Sequence, residues 1–372
     1  MIDNTKCRFH AIAVHECSSL AENGVSTLVG PSLIRELRAN PDTTAATPSL
    51  FCLVAESNRP VSWIRVWADR LTVGGRHLPW LWTGGLHTVP ELRGRGLATR
   101  LQRESTQWAA EHGFGRGSVF STDETLHIYR KLGYLQPGFA SRTVLIRSPR
   151  PLLAAHMPWP RMARAMTAGL QPLAGVAMRA VAVRSRRWAE GTEAGRRADS
   201  GGEEVAAILA AAERTMPVRF NMSPAKLQWK IDHASQRGGA CVVTHVSSGD
   251  GVPLGLAVTR TRLETRPLAE RYKDFRCTTL LDFVLAEHSE RAARALLGHL
   301  VADFVSQAEG EIFQLITHAP RLRELSRRLG FLPAGRGMSF SCMLPPGYSA
   351  PAHADDITTW PVTHFSGDAL FF

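Results

Sequence analysis

The sequence predicts an α/β protein with a mixed α+β sheet, built as two tandem copies of one fold joined by a basic helical connector. Three observations carry this. Between Ser49 and Ile146, apolar runs of strand length alternate with amphipathic stretches of helical period. Arg327-Arg328-Leu329-Gly330-Phe331 echoes Arg130-Lys131-Leu132-Gly133-Tyr134 at an offset of 197 residues, and Gly138 falls on Gly335 at the same offset. A repeat of that size means two copies of one fold. The stretch from Arg150 to Arg197 holds nine arginines against Glu190 and Glu193, a local excess of seven positive charges. The expected organisation is a first copy over 1–149, a connector over 150–202, and a second copy over 203–372 with an apolar tail.

In the first copy, Ser49 to Glu56 and Val61 to Ala68 flank Asn58-Arg59-Pro60 and read as a hairpin. Leu78 to Val89 follows as a central strand. Leu97, Leu101, Trp108 and Ala109 mark one face of a helix ending near His112-Gly113, where the glycine suits a left-handed cap. Gly117 to Ser121 reads as a strand. Asp123 is the expected cap of a helix over Glu124 to Leu132.

Between the central strand and the first long helix runs Gly85-Leu-His-Thr-Val-Pro-Glu-Leu-Arg93-Gly-Arg95-Gly-Leu97-Ala98. Gly94 and Gly96 let the backbone bend tightly and approach a ligand, and the first amides of the following helix lack partners within it. Those amides, the positive end of the helix dipole, Arg93 and Arg95 all favour an anion such as a diphosphate.

This segment resembles the cofactor loop of the GNAT superfamily of N-acetyltransferases, Arg/Gln-x-x-Gly-x-Gly/Ala, met by Arg93, Gly96 and Ala98. Downstream, Tyr129-Arg-Lys-Leu-Gly-Tyr134 matches that family's Tyr-Arg-Lys-Leu-Gly-Phe/Tyr signature. The resemblance, of the tandem-domain type, implies acetyl-CoA as co-substrate and no metal. The backbone of Leu86, His87 and Thr88 would then pair with the pantetheine arm, and Gly94, Arg95, Gly96, Leu97, Ala98 and Thr99 would hold the pyrophosphate with Arg93. It also implies that Tyr129 is the acid facing the departing sulfur. Many members use a glutamate on the central strand as base, and this strand has none; His87 and Glu124 are the candidates in its place. A third is the C-terminal carboxylate of Phe372, by likeness to the enhanced-intracellular-survival type, whose third domain this chain lacks.

In the second copy, Leu280 to Leu285, Arg291 to Phe304, Ile312 to Thr317 and Met338 to Met343 take the places of strand, helix, strand and strand. Glu287-His-Ser-Glu-Arg291 stands where the anion loop should be and has no glycine, and Ser326 stands opposite Tyr129. The second copy is therefore expected to keep the scaffold and lack the cofactor site. Phe275, Trp229, Tyr272 and Asp282 fall near the expected cleft, where ordinary core or surface roles account for them.

The expected activity is transfer of an acetyl or other acyl group to a primary amine of a small molecule. Two further readings are a non-catalytic acyl-CoA-binding protein, and a membrane-associated acyltransferase acting on a glycolipid or polysaccharide precursor.

Composition bounds the rest. The 372 residues are 44% apolar and 21% charged, with a net charge of +11. No helix-turn-helix, zinc-finger or RNA-binding signature accompanies that charge, so nucleic acid is not an expected partner. In the connector, Pro151, Pro158, Pro160 and Pro172 are expected to break the chain into short helices that pack between domains, ahead of a solvated linker from Glu190 to Gly202. Contact of this segment with a membrane surface is the alternative. Cys7, Cys17, Cys52, Cys241, Cys277 and Cys342 form no C-x-x-C pair, so neither a zinc site nor a disulfide framework is indicated. No signal peptide is legible at the start, and the expected location is cytoplasmic.

Overall fold

A computed structural model describes residues 7–13, 15–16, 31–157, 159–264, 275–287, 289–307, 309–363 and 366. The first half runs β1 (Arg8–Ala13), α1 (Pro31–Ala39), β2 (Pro48–Val54), β3 (Pro60–Val73), β4 (Arg76–Thr88), α2 (Leu97–Glu111), β5 (Gly115–Val119), α3 (Asp123–Lys131) and β6 (Leu135–Ile146). Then come α4 (Arg150–His156), α5 (Pro160–Ala189) and β7 (Thr192–Arg197). The second half continues with α6 (Glu203–Thr215), β8 (Val218–Phe220), α7 (Pro224–Ser235), β9 (Cys241–Ser248), β10 (Pro253–Glu264) and β11 (Phe275–Leu285). It closes with α8 (Glu290–Ser306), β12 (Ile312–Thr317), α9 (Pro320–Arg328) and β13 (Leu332–Met343).

The repeat is geometric as well as sequential. In each half two strands run parallel for three residue pairs and then part: Trp80–Trp82 beside Gly115–Gly117, and Cys277–Thr279 beside Ile312–Gln314. These registers, like α3 with α9 and β6 with β13, are again 197 residues apart.

The strands form one mixed sheet in the order β1-β2-β3-β4-β5-β13-β6-β12-β11-β10-β9-β7, with β8 added to β3. Each copy therefore gives its last strand to the other. β13 lies against β5 through Phe340↔Val119 to Met343↔Arg116, while β6 lies against β12 through Ser141↔Thr317 to Ile146↔Ile312. Nothing in strand periodicity distinguishes a strand that stays at home from one that crosses.

The apolar core is also shared. Trp80 and Trp82 of β4, Phe220 of β8, Phe340 of β13 and Trp360 near the chain end form one aromatic layer with centroids 4.7–6.5 Å apart. Glycine in β5 makes room for it. A Cβ on Gly117 would sit 2.7 Å from Trp80 Cζ2 and 2.8 Å from Trp82 Cζ3. Lys226 of α7 ties the halves further, with Nζ 2.8 Å from the Asp42 carboxylate and 2.7 Å from Asn40 Oδ1. Burial alone would expel that charge; Asn40, the Ala68 carbonyl at 2.8 Å and the Asp42 carboxylate hold it in place.

Three local expectations change. The cap of α3 is Thr122, whose hydroxyl accepts from the Thr125 amide, and Asp123 is the first helical residue. Glu190–Gly202 is largely exposed but is not a linker throughout, because β7 within it pairs with β9 as an edge strand. The connector is not broken into short pieces after Pro160: α5 is a single thirty-residue helix with Pro172 inside it. Pro172 lies on an exposed stretch of the helix, and most of the inward-packing residues, Met178, Val181 and Ser185, are C-terminal to it.

Candidate active site

The site grows from the parting of β4 and β5. Beyond Trp82↔Gly117 the β4 backbone from Thr83 onward has no partner on β5, which leaves an open strand edge facing a wedge between the two strands. A bulge deepens it. The β3 partners step from Arg65↔Gly84 to Trp63↔His87, so β4 carries one residue more than β3, and Gly85 takes φ +64° to absorb it. An extended ligand arm can pair with such an edge as an added strand would.

At the outer end of the wedge lies the Arg/Gly loop. Arg93, Gly94, Arg95 and Gly96 are all exposed. Gly94 and Gly96 have φ of +75° and +77°, the left-handed region that only glycine enters freely. Gly96 is also the N-cap of α2 and offers no side chain to its amides; the first bond into the helix runs from the Arg100 amide to the Gly96 carbonyl at 3.0 Å. The amides of Leu97, Ala98 and Thr99 therefore have no acceptor within the helix. Leu97 itself is buried and pins the helix start to the core, while Arg93 Nε donates to the Thr88 carbonyl at 3.1 Å and closes the loop onto β4.

At the inner end stands Tyr129. It is 1% exposed, and its hydroxyl lies within reach of Thr83 on β4 and Ser118 on β5, the first residues past the point where the strands part. Burial, reinforced by Tyr134, pushes its pKa up to about 12, so the hydroxyl keeps its proton at any working pH. Gln102 Nε2 donates to that oxygen at 3.4 Å. Behind it, Arg116 is 1% exposed and donates to Ser105 Oγ (2.9 Å), Thr106 Oγ1 (2.7 Å) and Gln102 Oε1 (3.1 Å). This network of α2 and β5 escaped the sequence reading. An arginine in a five-residue strand carries no sign of being buried, although Gln102 and Ser105 interrupting the apolar face of α2 were a signal.

His87 packs against Trp63 of β3, the rings tilted by 31° with centroids 4.3 Å apart. Burial first, then the Arg93 charge, hold its pKa below the ordinary histidine value, which leaves the ring neutral and able to accept a proton at neutral pH. Glu124 is exposed at the first turn of α3, where its own backbone amide and then the Thr122 hydroxyl keep its carboxyl below the usual range. Five positions apart, Glu124 and Tyr129 leave that helix on different sides. Phe372 lies outside the described residues.

Residues 26–134 match the model of the acetyltransferase (GNAT) family. This region is a GNAT domain. The match supports an N-acyltransferase activity for the chain. Over nearly its whole length it also has the fold of N-myristoyltransferase from Saccharomyces cerevisiae, solved with bound myristoyl-CoA: TM-score 0.57, 12% identity, covering 91% of this chain and 79% of that one. A GCN5-related N-acetyltransferase from Anabaena variabilis ATCC 29413 gives a TM-score of 0.55 at 12% identity, covering 91% and 72%. A probable N-acyltransferase from Enterococcus faecalis V583 gives 0.55 at 12%, covering 90% and 72%. At these identities the likeness is one of fold. No curated protein matches the chain by sequence.

The second copy has the same wedge with different contents. Where the GNAT domain leaves the start of α2 bare, Ser289 caps α8 and accepts from the Ala292 amide. Glu290 follows it, paired with Arg294 and Arg321. Ser326, at the position of Tyr129, donates its hydroxyl to the Arg323 carbonyl of its own helix.

Between β11 and β12 the parted strands enclose a cavity of about 460 Å³. Its wall is largely apolar, with Phe220, Met222 and Val362, and five titratable residues line it: Lys230, Asp282, Glu290, His318 and Arg321. Burial raises the Asp282 pKa, with Lys230 pulling the other way, and burial lowers that of His318 to about 4. Among the described residues no group of three or more His, Cys, Asp or Glu side chains is placed to hold a metal.

Proposed function

We propose that the chain transfers an acyl group from acyl-CoA to a primary amine of a small molecule by direct attack, with Tyr129 donating to the departing sulfur. The observation that carries this is the position of a permanently protonated, buried hydroxyl at the vertex of a wedge whose other end is an exposed anion cradle. The diphosphate end of the co-substrate binds Gly94 to Thr99 with Arg93 and Arg95. The pantetheine arm pairs with the open β4 edge at Leu86 to Thr88, which also presents an amide to the thioester carbonyl. The unprotonated amine attacks the carbonyl carbon, the C–S bond breaks, the Tyr129 O–H bonds the leaving thiolate, and the ammonium proton passes to His87 or to water. A cytoplasmic setting is part of this proposal; the five described cysteines are buried and form no disulfide with one another.

The second copy supports an acceptor role. β13 and β6 lie between β5 and β12, so the two wedges are separated by three strand spacings, about 14 Å. An elongated amine can therefore lie with its reactive end at Tyr129 and its body in the cavity, where Asp282 attracts a donor or positive charge. The test is CoA release from acyl-CoA donors of several chain lengths against amino sugars, aminoglycosides, amino acids and a lysine peptide. Asp282→Asn is expected to raise KM for the preferred amine about tenfold and to leave KM for acyl-CoA unchanged. Turnover confined to the peptide, or an Asp282→Asn enzyme with unaltered amine KM, defeats the acceptor assignment.

A further inference from the structure

Helix α5 presents three faces. The first is buried: Ala163, Met178, Val181 and Ser185 face inward, and a Cβ on Gly298 of α8 would lie 2.7 Å from the Ser185 carbonyl. Arg184 donates to the carbonyl of Arg328 and fastens the C-terminal end. The second face is an apolar stripe open to solvent. Met162, Met166, Leu170 and Leu173 follow one another at steps of four, four and three, with Trp159 at the head 64% exposed and Leu173 66% exposed. The third is cationic, with Arg161, Arg164, Arg179 and Arg186 all exposed. From Arg150 to Ala189 there are seven arginines and no aspartate or glutamate. No arginine of α5 meets a carboxylate among the described residues.

A stripe of this length on a helix that is otherwise well anchored marks a contact surface. The charge beside it selects the occupant. A second copy of the chain would bring six more arginines against these six, and a transmembrane course is closed off although α5 is long and apolar enough for one. The strands before and after it, β6 and β7, belong to the same sheet, and its inner face is fixed to α8. What remains is a surface that is apolar a few ångströms deep and negatively charged above.

We propose that α5 lies in the plane of a bilayer rich in anionic lipid, with the Met162–Leu173 stripe and Trp159 among the upper acyl chains and its arginines at the headgroup phosphates. Pro172 is compatible with this placement, since the carbonyl it leaves without an amide partner faces a hydrated boundary.

The full chain is sedimented with vesicles of phosphatidylcholine alone and of phosphatidylcholine with phosphatidylglycerol. Binding is expected to the mixed vesicles only, and to weaken about tenfold between low and high salt. Arg161→Gln, Arg164→Gln and Arg179→Gln each lower the partition coefficient about fivefold. The double variant Leu170→Glu/Leu173→Glu abolishes binding while its thermal melt and acyl-CoA affinity stay those of the parent, both positions being solvent-exposed. Quenching of tryptophan fluorescence by brominated lipid, lost in Trp159→Phe, places the helix head at the interface. Equal binding to neutral and anionic vesicles, binding that survives the double variant, or no binding at all overturns the proposal. So does self-association of the parent that the double variant removes without any vesicle binding, which would make the stripe a contact between copies.

Discussion

Replacing Tyr129 by phenylalanine deletes one oxygen and leaves the ring stacked on Tyr134, 4.7 Å between centroids. Little stability is at stake, because the bond the hydroxyl accepts from Gln102 is long at 3.4 Å. The catalytic effect follows from the pKa. With Tyr129 near 12 and a thiol at about 8.5, complete proton transfer to the thiolate is uphill by roughly 5 kcal/mol, so the hydroxyl acts chiefly as a hydrogen-bond donor to the leaving group. A hydrogen bond to a charged acceptor contributes about 1.5–3 kcal/mol, which predicts a fall in kcat of roughly 10- to 150-fold with KM for acyl-CoA little changed. Because the hydroxyl ionises only near pH 12, the ratio of parent to variant kcat should be flat from pH 7 to pH 10. Steady-state CoA release across that range is the assay. A kcat within twofold of the parent, or a ratio that decays toward unity above pH 9, would refute the reasoning.

Three further outcomes follow from the fold. Gly117→Ala forces a Cβ to 2.7 Å from Trp80 and should cost about 1–3 kcal/mol, read as a lower urea midpoint with unchanged slope. His318 is neutral and buried, with a folded pKa near 4 below an unfolded value near 6.5. Its contribution is therefore complete above pH 6.5 and lost as pH falls toward 4, worth up to about 3 kcal/mol; urea titrations at pH 7 and 4.5 should show the loss, and His318→Gln should reduce it. A fragment ending at Pro149 keeps the whole GNAT signature yet lacks β13 and β8. It should show no cooperative melt, and a native-like near-UV spectrum from it would contradict the strand exchange.

Much of this molecule could be read from short-range pattern, and the reason is physical. Turns and caps announce themselves because positive φ admits few residues besides glycine, and Gly94, Gly96, Gly113 and Gly133 all occupy it. The Arg/Gly loop was legible because glycine conformation and the bare amides of a helix start depend on local sequence. The lack of glycine in the corresponding loop of the second copy was legible in the same way, and there Ser289 caps α8. What the sequence could not convey are relations between segments with no sequence separation rule. Arg116 looks like any strand arginine until α2 folds over it. Asp282 is an ordinary acid until β11 and β12 part around it. Pro172 reads as a helix break, and α5 runs through it as one helix.

The sequence by itself determined the two copies, the cradle at Arg93 to Thr99 and the tyrosine that faces it, because each rests on periodicity, glycine conformation or an exact repeat of spacing. Tertiary structure alone decided that β6 and β13 change places, that one aromatic core joins both halves, and that the second wedge encloses a cavity around Asp282. Strand exchange conserves local geometry and hydrogen-bond count, so sequence is blind to it. What distinguishes the arrangements is tertiary packing such as that of Trp80 and Phe340 on Trp360 and of Trp82 on Phe340.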